Sequence, residues 1–473
     1  MKTATSPTEL LIPLDAKTGT PLRTQVERGL RQAIRAGRLA AGAPLPSTRV
    51  LAVDLGVSRG VVLGAYEQLL AEGYLTARQG SATRVAARCE EVAAGRSAIP
   101  ARTVPYSFDF RPGVPDLSLF PRRSWLRSVR QVIDLSPTGD FDYPDPRGSE
   151  AARTELAAYL NRARATVTAG DRIVLCNGFA QGAWLVGQAL RASGVHRIGV
   201  EDPGHADQCA DLAGAGLELV RIPVDDEGIR ADLLEGADVG AVLVTPAHQY
   251  PTGAVLSSDR RAALLGWATR RGAVILEDDY DAEYRYDREP IGSLQGLAPD
   301  RVVYLGTASK MLAPGLRLGW LALPAHLVGG VGQAKLDADR GSPSLDQLAL
   351  ADFLHRGELD RHLRRTRRIY RRRRDALVSA LTRYLPQLRI RGVAAGLHLM
   401  VELGPNAREQ EIVATAEKRS MRVVGASVYR SNPAHGTPAL LLGYGGLDEN
   451  IIDLAVKRLE TLLREHDVQP ERV

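Results

Sequence analysis

The chain has 473 residues, with 61 lysines and arginines against 55 acids, for a formal net charge of +6. That length accommodates a small module beside a large bipartite domain, and the positive balance suits an anionic partner. Three irregularly spaced cysteines (Cys89, Cys176, Cys209) and unclustered histidines argue against a disulfide framework or a metal site, and no apolar run reaches membrane length, so a protein of the reducing cytoplasm, with no metal, is expected. Leu10–Pro13 is too short for the apolar core of a signal peptide.

The first 90 residues carry Arg23, Arg28, Arg31, Arg35, Arg38, Arg49, Arg59, Arg78, Arg84 and Arg88, which outweigh acids such as Glu27, Asp54, Glu67 and Glu72. A small basic module points to a phosphate backbone. Its apolar period is helical. A first helix is expected from about Thr24 to Ala36, and a second begins after Ser47 as N-cap and runs to Leu55. Gly56 closes it, and Ser58 opens a third helix to about Glu72. Leu51, Leu55, Val57, Val62, Tyr66 and Leu69 supply the contacts a helix-turn-helix must bury. Beyond Gly73, Tyr74–Thr76 and Ala82–Val85 flank Arg78-Gln79-Gly80 as a short hairpin, the wing.

Leu45-Pro-Ser-Thr-Arg49, Leu55-Gly-Val-Ser-Arg59 and Tyr66-Glu-Gln-Leu-Leu-Ala-Glu-Gly-Tyr-Leu75 resemble the GntR-type winged helix-turn-helix. The resemblance puts Arg49, Ser58, Arg59 and Gly60 at helix starts facing operator DNA, with Arg78 and Gly80 on the wing. Ala82 and Arg84 depart from the family's usual glycine and aromatic. The expected organisation is a DNA-binding domain over 1–87, a linker over 88–105 and a second domain over 106–473. The linker, rich in alanine and polar residues, spans roughly 60 Å when extended, enough for an exchange of modules between the subunits of a dimer.

In the second domain, short apolar runs alternate with helical stretches, the pattern of a parallel sheet buried on both faces. Polar residues gather where the runs end. Ile173–Leu175 leads into Cys176-Asn-Gly-Phe-Ala-Gln181, Arg197–Val200 into Glu201-Asp-Pro-Gly-His205, and Val242–Val244 into Thr245-Pro-Ala-His-Gln-Tyr-Pro-Thr-Gly253. Val274–Leu276 leads into Glu277-Asp-Asp-Tyr280, and Val302–Leu305 into Gly306-Thr-Ala-Ser-Lys310. Such sheets bind ligands beyond the carboxyl ends of their strands.

Lys310 is notable because most of the chain's basic residues are arginines, which cannot lose a proton and condense with an aldehyde. The chemistry fits pyridoxal 5'-phosphate, which needs a lysine for its aldehyde, a carboxylate for its pyridinium nitrogen and donors for its phosphate. Lys310 is the candidate Schiff-base residue, Asp278 the ring partner and Tyr280 the donor to the phenolate oxygen. Gly178 and Gln181, at the start of a helix reaching about Leu190, with Thr307, Ser309 and Arg317, are the candidate phosphate clamp. His205 is placed over the ring, and His248 joins the cofactor set.

From about Tyr106 onward these motifs, with Pro314-Gly-Leu-Arg-Leu-Gly319, resemble the fold type I aminotransferase domain of MocR-type GntR regulators. The resemblance implies an α/β fold of the PLP-dependent transferases, with a large parallel-like sheet domain and a smaller α+β subdomain. It implies a head-to-tail homodimer in which Tyr143, in Tyr143-Pro-Asp-Pro-Arg-Gly148, reaches the neighbouring subunit's phosphate. It also implies a regulator, bound to operator DNA in the nucleoid, that senses pyridoxal 5'-phosphate or an amino compound reacting with it. The alternatives are a working aminotransferase with an accessory DNA-binding domain and a dimerisation scaffold; Lys310 beside Asp278 argues against the scaffold.

Departures from the aminotransferase pattern speak against turnover. Pro438-Ala-Leu-Leu-Leu-Gly443 lacks the arginine that grips a substrate carboxylate, leaving Arg430 as the nearby candidate for an effector. His205 and Asp207 stand where a tyrosine and an arginine are usual, and an acid at Asp207 repels a carboxylate. The arginine-rich stretch Arg361–Asp375 reads as a helix of the small subdomain, with Leu363, Ile369, Tyr370 and Leu377 inward; a second contact with flanking DNA is the sharper alternative.

Overall fold

A computed structural model describes residues 12–15, 18–78, 81–86, 106–287 and 291–466. The chain divides into two compact units, Met1–Val104 and Pro105–Val473. The expected linker, Gly80 and Cys89 lie outside the described residues.

In the first unit, helices α1 (Leu22–Arg35), α2 (Thr48–Asp54) and α3 (Arg59–Ala71) precede strands β1 (Leu75–Thr76) and β2 (Arg84–Val85). The Ser47 hydroxyl accepts from the Val50 amide, so α2 starts where its capping residue dictates. Val26, Leu30, Ile34, Leu51, Val62, Tyr66, Leu69, Leu75 and Val85 form one core. The Tyr66 hydroxyl donates to the Pro46 carbonyl at 2.9 Å, tying α3 to the turn before α2. β1 and β2 pair antiparallel with Leu75 opposite Val85, the register of a wing.

The second unit holds an eight-stranded sheet in the order Ile173–Cys176, Gly319–Ala322, Val302–Thr307, Val274–Asp279, Ala241–Val244, Arg197–Asp202, Glu218–Asp225, Gly228–Ile229. It is mixed rather than parallel throughout. Gly319–Ala322 runs antiparallel to both neighbours, because the turn carrying Lys310 returns from Val302–Thr307 without the helical crossover a parallel strand requires. Side chains alternate between two cores: Val274, Leu276 and Val303 join one, Ile275 and Val302 the other. A four-stranded antiparallel sheet of Arg389–Arg391, His398–Glu402, Ala439–Gly443 and Val424–Gly425 forms the smaller subdomain with the helices Glu358–Tyr384 and Glu449–Glu465. No helix among the described residues is long and apolar enough to cross a membrane.

The arginine-rich helix Glu358–Tyr384 buries Leu363, Tyr370 and Leu377, while Ile369 is half-buried. Many of its arginines serve the fold. Arg373 pairs with Asp116 at 2.7 Å, Arg372 with Glu449 at 3.0 Å and Arg361 with Glu358 at 2.6 Å. Arg365 and Arg367 donate to the carbonyls of Leu119 and Glu283. The side chains of Arg364 and Arg368 have no hydrogen-bond or ion-pair partner among the described residues.

Candidate functional site

The carboxyl ends of the central strands open into a cavity of about 220 Å³ lined by Gly113, Phe179, His205, Asp207, Gln208, Asp211, Tyr250, Asp278, Tyr280, Thr307, Ser309, Lys310 and Arg317, among others. Asp278 is 2 % exposed and lies one residue before the end of its strand, opposite Leu305 of the strand that leads to Lys310. The two functional groups therefore share a cavity because their strands are hydrogen-bonded neighbours.

The electrostatics suit a cationic ring partner and an imine-forming amine. Burial pushes the Asp278 carboxyl well above its ordinary range, opposed by the amide of Gln208, which donates to Oδ2. A cation against that carboxylate is what would keep it ionised. Burial also holds the Lys310 ammonium below its usual pKa, against the fields of Asp281 and Asp278. A lysine so placed gives up its proton more readily than one in water. Gly113, at φ +67°, brings backbone against this amine; a Cβ there would lie 3.6 Å from Nζ.

The other end suits an anion. Gly178, at φ +82°, precedes the helix Phe179–Ala192, whose first residues line the cavity. The Arg317 guanidinium donates to the Asn177 carbonyl, and glycine at 178 suits both the positive φ and the guanidinium beside it, since a Cβ would approach the guanidinium nitrogens to 3.1 Å. Thr307 donates to the Ser309 hydroxyl at 2.9 Å on the facing wall.

Four expected site residues do not line this cavity, Tyr143 among them, which is expected to serve the neighbouring subunit. Gln181 does not line the cavity: its oxygen accepts from the Asn177 amide and from Lys335, and its nitrogen donates to Asp339, because the adjoining helix Ala325–Asp339 supplies a buried ammonium and a carboxylate as partners. His248 sits behind Tyr280, with Nδ1 3.1 Å from Asp281 and 3.0 Å from the Tyr280 hydroxyl. Arg430 turns to its own loop and donates to the carbonyls of Gly436 and Thr437, away from the cavity. Tyr143 is 87 % exposed and does not line this cavity in its own chain.

Sequence reasoning missed Gln208 and Gly113. Gln208 adjoins Asp207, and nothing local indicated that it would turn to Asp278 70 residues away. Gly113 had only a Pro-Gly turn as its signal. The apolar stretch Ala439–Gly443, where the arginine is lacking, places Ala439 and Leu441 in a cluster with Met400 and Ala426 behind Tyr250.

In the first unit, Arg49 is exposed in the first turn of α2, and Ser58, Arg59 and Gly60 are exposed at the start of α3. Arg59 Nε lies 3.4 Å from the Thr48 hydroxyl, so the two helix starts share a face. Arg78 is exposed after β1, whereas Arg84 donates to the Gly42 carbonyl at 2.8 Å and holds the wing to the preceding turn. Arg31 is tied to Glu72 at 2.7 Å.

Comparison with known proteins follows the same division. Residues 22–85 match bacterial regulatory proteins of the gntR family, and residues 116–441 match aminotransferase class I and II. The probable rhizopine catabolism regulatory protein MocR of Rhizobium meliloti is 31% identical over 95% of each chain. The HTH-type pyridoxine biosynthesis transcriptional regulator PdxR of Corynebacterium glutamicum is 34% identical, covering 94% of this chain and 96% of its own. Among solved structures, the multiple substrate aminotransferase of Thermococcus profundus superposes with a TM-score of 0.71 at 26% identity, over 77% of this chain and 93% of its own. Both units and nearly the whole length are thus shared with regulators rather than with free-standing enzymes, and the chain belongs to the MocR-type GntR transcriptional regulators, DNA-binding proteins with an aminotransferase-like domain.

Proposed function

We propose that the chain is a cytoplasmic regulator that binds its operator through the first unit and senses pyridoxal 5'-phosphate, or an amino compound reacting with it, through the second. The observation that carries this reading is the joining of Lys310 and Asp278 in one cavity whose lining among the described residues holds no guanidinium besides Arg317, at the end assigned to the phosphate. Bound pyridoxal 5'-phosphate would supply an aldehyde and an electron-withdrawing ring. Asp278, oriented by Gln208, would hold the ring nitrogen, and Tyr280 would orient the phenolate side. Arg317, Thr307, Ser309 and the amides after Gly178 would hold the phosphate. His205 would cover the ring. His248 would act through Tyr280, positioning its hydroxyl. Tyr143 is free to serve the phosphate of a second subunit in a head-to-tail dimer.

Turnover requires that a substrate be oriented, and positioning of this kind is worth several kcal/mol of a reaction barrier. With an apolar cluster behind Tyr250 and Arg430 turned away, an amino acid has no carboxylate clamp. Occupancy can still bias DNA binding, provided the cofactor prefers one state of the dimer. Full-length protein with added cofactor should absorb near the visible edge, and borohydride should fix the label on Lys310. Lys310→Ala should abolish that labelling. Cofactor should change operator affinity at least several-fold, with negligible transamination across a panel of amino donors. Rapid turnover with operator binding indifferent to cofactor would establish the aminotransferase reading instead.

A further inference from the structure

The mouth of the cavity carries charge that the cofactor does not use. Asp207 and Asp211 lie one turn apart on the helix Ala206–Gly214, and both line the cavity. Neither carboxylate has a hydrogen-bond or ion-pair partner among the described residues. Burial and then the neighbouring Asp207 raise the Asp211 carboxyl against the field of Arg317, so a further cation beside Asp207 would relieve the like-charge pair.

Aromatic rings stand beside Asp207. Tyr250 and Tyr429 meet edge to face at 5.0 Å and 88°, and the His205 ring lies 5.1 Å from Tyr250 and 6.2 Å from Tyr429. Burial raises the Tyr250 and Tyr429 phenols and lowers His205, and the field of Asp207 reaches all three groups, adding to the first effect and opposing the second. His205 Nδ1 is buried without a partner, and a neutral imidazole has one acceptor nitrogen. Ring faces, carboxylates and a nitrogen lone pair attract ammonium groups. Asp207 and Asp211 repel a carboxylate, and the apolar Leu441 and Ala439 packed with Tyr250 supply no counter-charge to it.

We propose that the effector recognised in this cavity is a dication without a carboxylate, a diamine whose primary amine lies toward Lys310 and whose second ammonium lies among Asp207, Asp211 and the rings of Tyr250 and His205. This rests on the reading that the second unit senses an amino compound at the Lys310 cavity, and it sharpens that reading to a chemical class.

The test is calorimetric titration of the full-length protein, with and without pyridoxal 5'-phosphate, using 1,4-diaminobutane, 1-aminobutane and 4-aminobutanoate. The diamine should bind at least about tenfold more tightly than 1-aminobutane, as expected for an ammonium near paired carboxylates, with 4-aminobutanoate weakest. Asp207→Asn combined with Asp211→Asn should reduce that preference to about twofold or less. Asp207→Arg should reverse the order in favour of 4-aminobutanoate. Equal or tighter binding of 4-aminobutanoate by the unaltered protein, persistence of the preference in the double variant, or no binding of the diamine would overturn the proposal. Cofactor absorbance, read separately, distinguishes the two failures. Without an absorbance change the cofactor reading falls, and the cofactor-free titration still decides the class of ligand. With normal absorbance and no diamine preference, only the present proposal falls.

Discussion

The two units handle charge in opposite ways. The first keeps Arg49, Arg59 and Arg78 in solvent, on helix starts and beside a wing, where an arginine is hydrated at no cost and acts on phosphates at a distance. The second buries Glu277, Asp278, Asp279, Asp281 and Glu283 along one strand end and the turn after it. A buried carboxylate must be matched by a neighbour or shift its pKa. Four of these acids have visible partners: Glu277 accepts the amides of Leu294 and Gln295, Asp279 meets Arg164, Asp281 meets His248 and Glu283 accepts from Tyr159. Asp278 has only the neutral amide of Gln208, and it is the acid that opens on the cavity. Exposed charge thus makes the first unit a reader of other molecules, whereas in the row of buried acids the ligand site is marked by the member that opens on the cavity.

The largest expected effect tests the buried side of this contrast. Arg164 and Asp279 meet at 2.7 Å, each almost wholly buried, and both terminal nitrogens of Arg164 already lack partners. Asp279→Ala should therefore lower unfolding stability by about 3–5 kcal/mol, since it strands an arginine in the interior. Urea denaturation would check this, and a loss below about 1 kcal/mol would show that water reaches the guanidinium.

A buried histidine gives a pH signature. His362 lies 2.8 Å from the Met311 carbonyl, and burial lowers its pKa to about 4 from the 6.5 of an exposed ring. Between these values the unfolded chain binds more protons than the folded one, so this group's contribution to stability is present above pH 6.5 and is lost as pH falls toward 4. The slope should approach about 1.4 kcal/mol per pH unit within that window. His362→Asn should flatten it, as measured by denaturation at several pH values.

On the exposed side, Arg49→Ala or Arg59→Ala should cost about 1–3 kcal/mol of operator affinity if the arginine reads a base. If it only neutralises a phosphate, the salt slope should fall by about one instead. Unfolding stability should change little in either variant. Operator binding unchanged in the double variant would remove these helix starts from the interface. The smallest effect belongs to a local cap: Ser47→Ala should cost about 1 kcal/mol of stability in the first unit, because the Val50 amide loses its acceptor.

Legibility differed between the units for the same reason as their charge. The three helices and the wing followed from features a few residues apart: Ser47 as a cap, Gly56 after α2, and an apolar stripe through Val62, Tyr66 and Leu69. Lys310 and Asp278 were legible too, since each follows a buried apolar run and lysine was the required chemistry. Gln181, His248 and Arg430 were polar residues in suitable motifs, yet each turned to a partner supplied by another element or by its own loop. Gln208 and Gly113 became part of the cavity by the converse route.

The sequence by itself determined the two modules, the strand ends that carry the chemistry and the amine and carboxylate that define it, because turn signals, caps and apolar periods act locally. Tertiary structure decided which polar side chains face the cavity, that its mouth is acidic and aromatic, and that an apolar cluster closes the side where a carboxylate would need a guanidinium. Those outcomes depend on competition among distant partners for each buried polar atom, and side-chain order along the chain carries no record of which partner prevails.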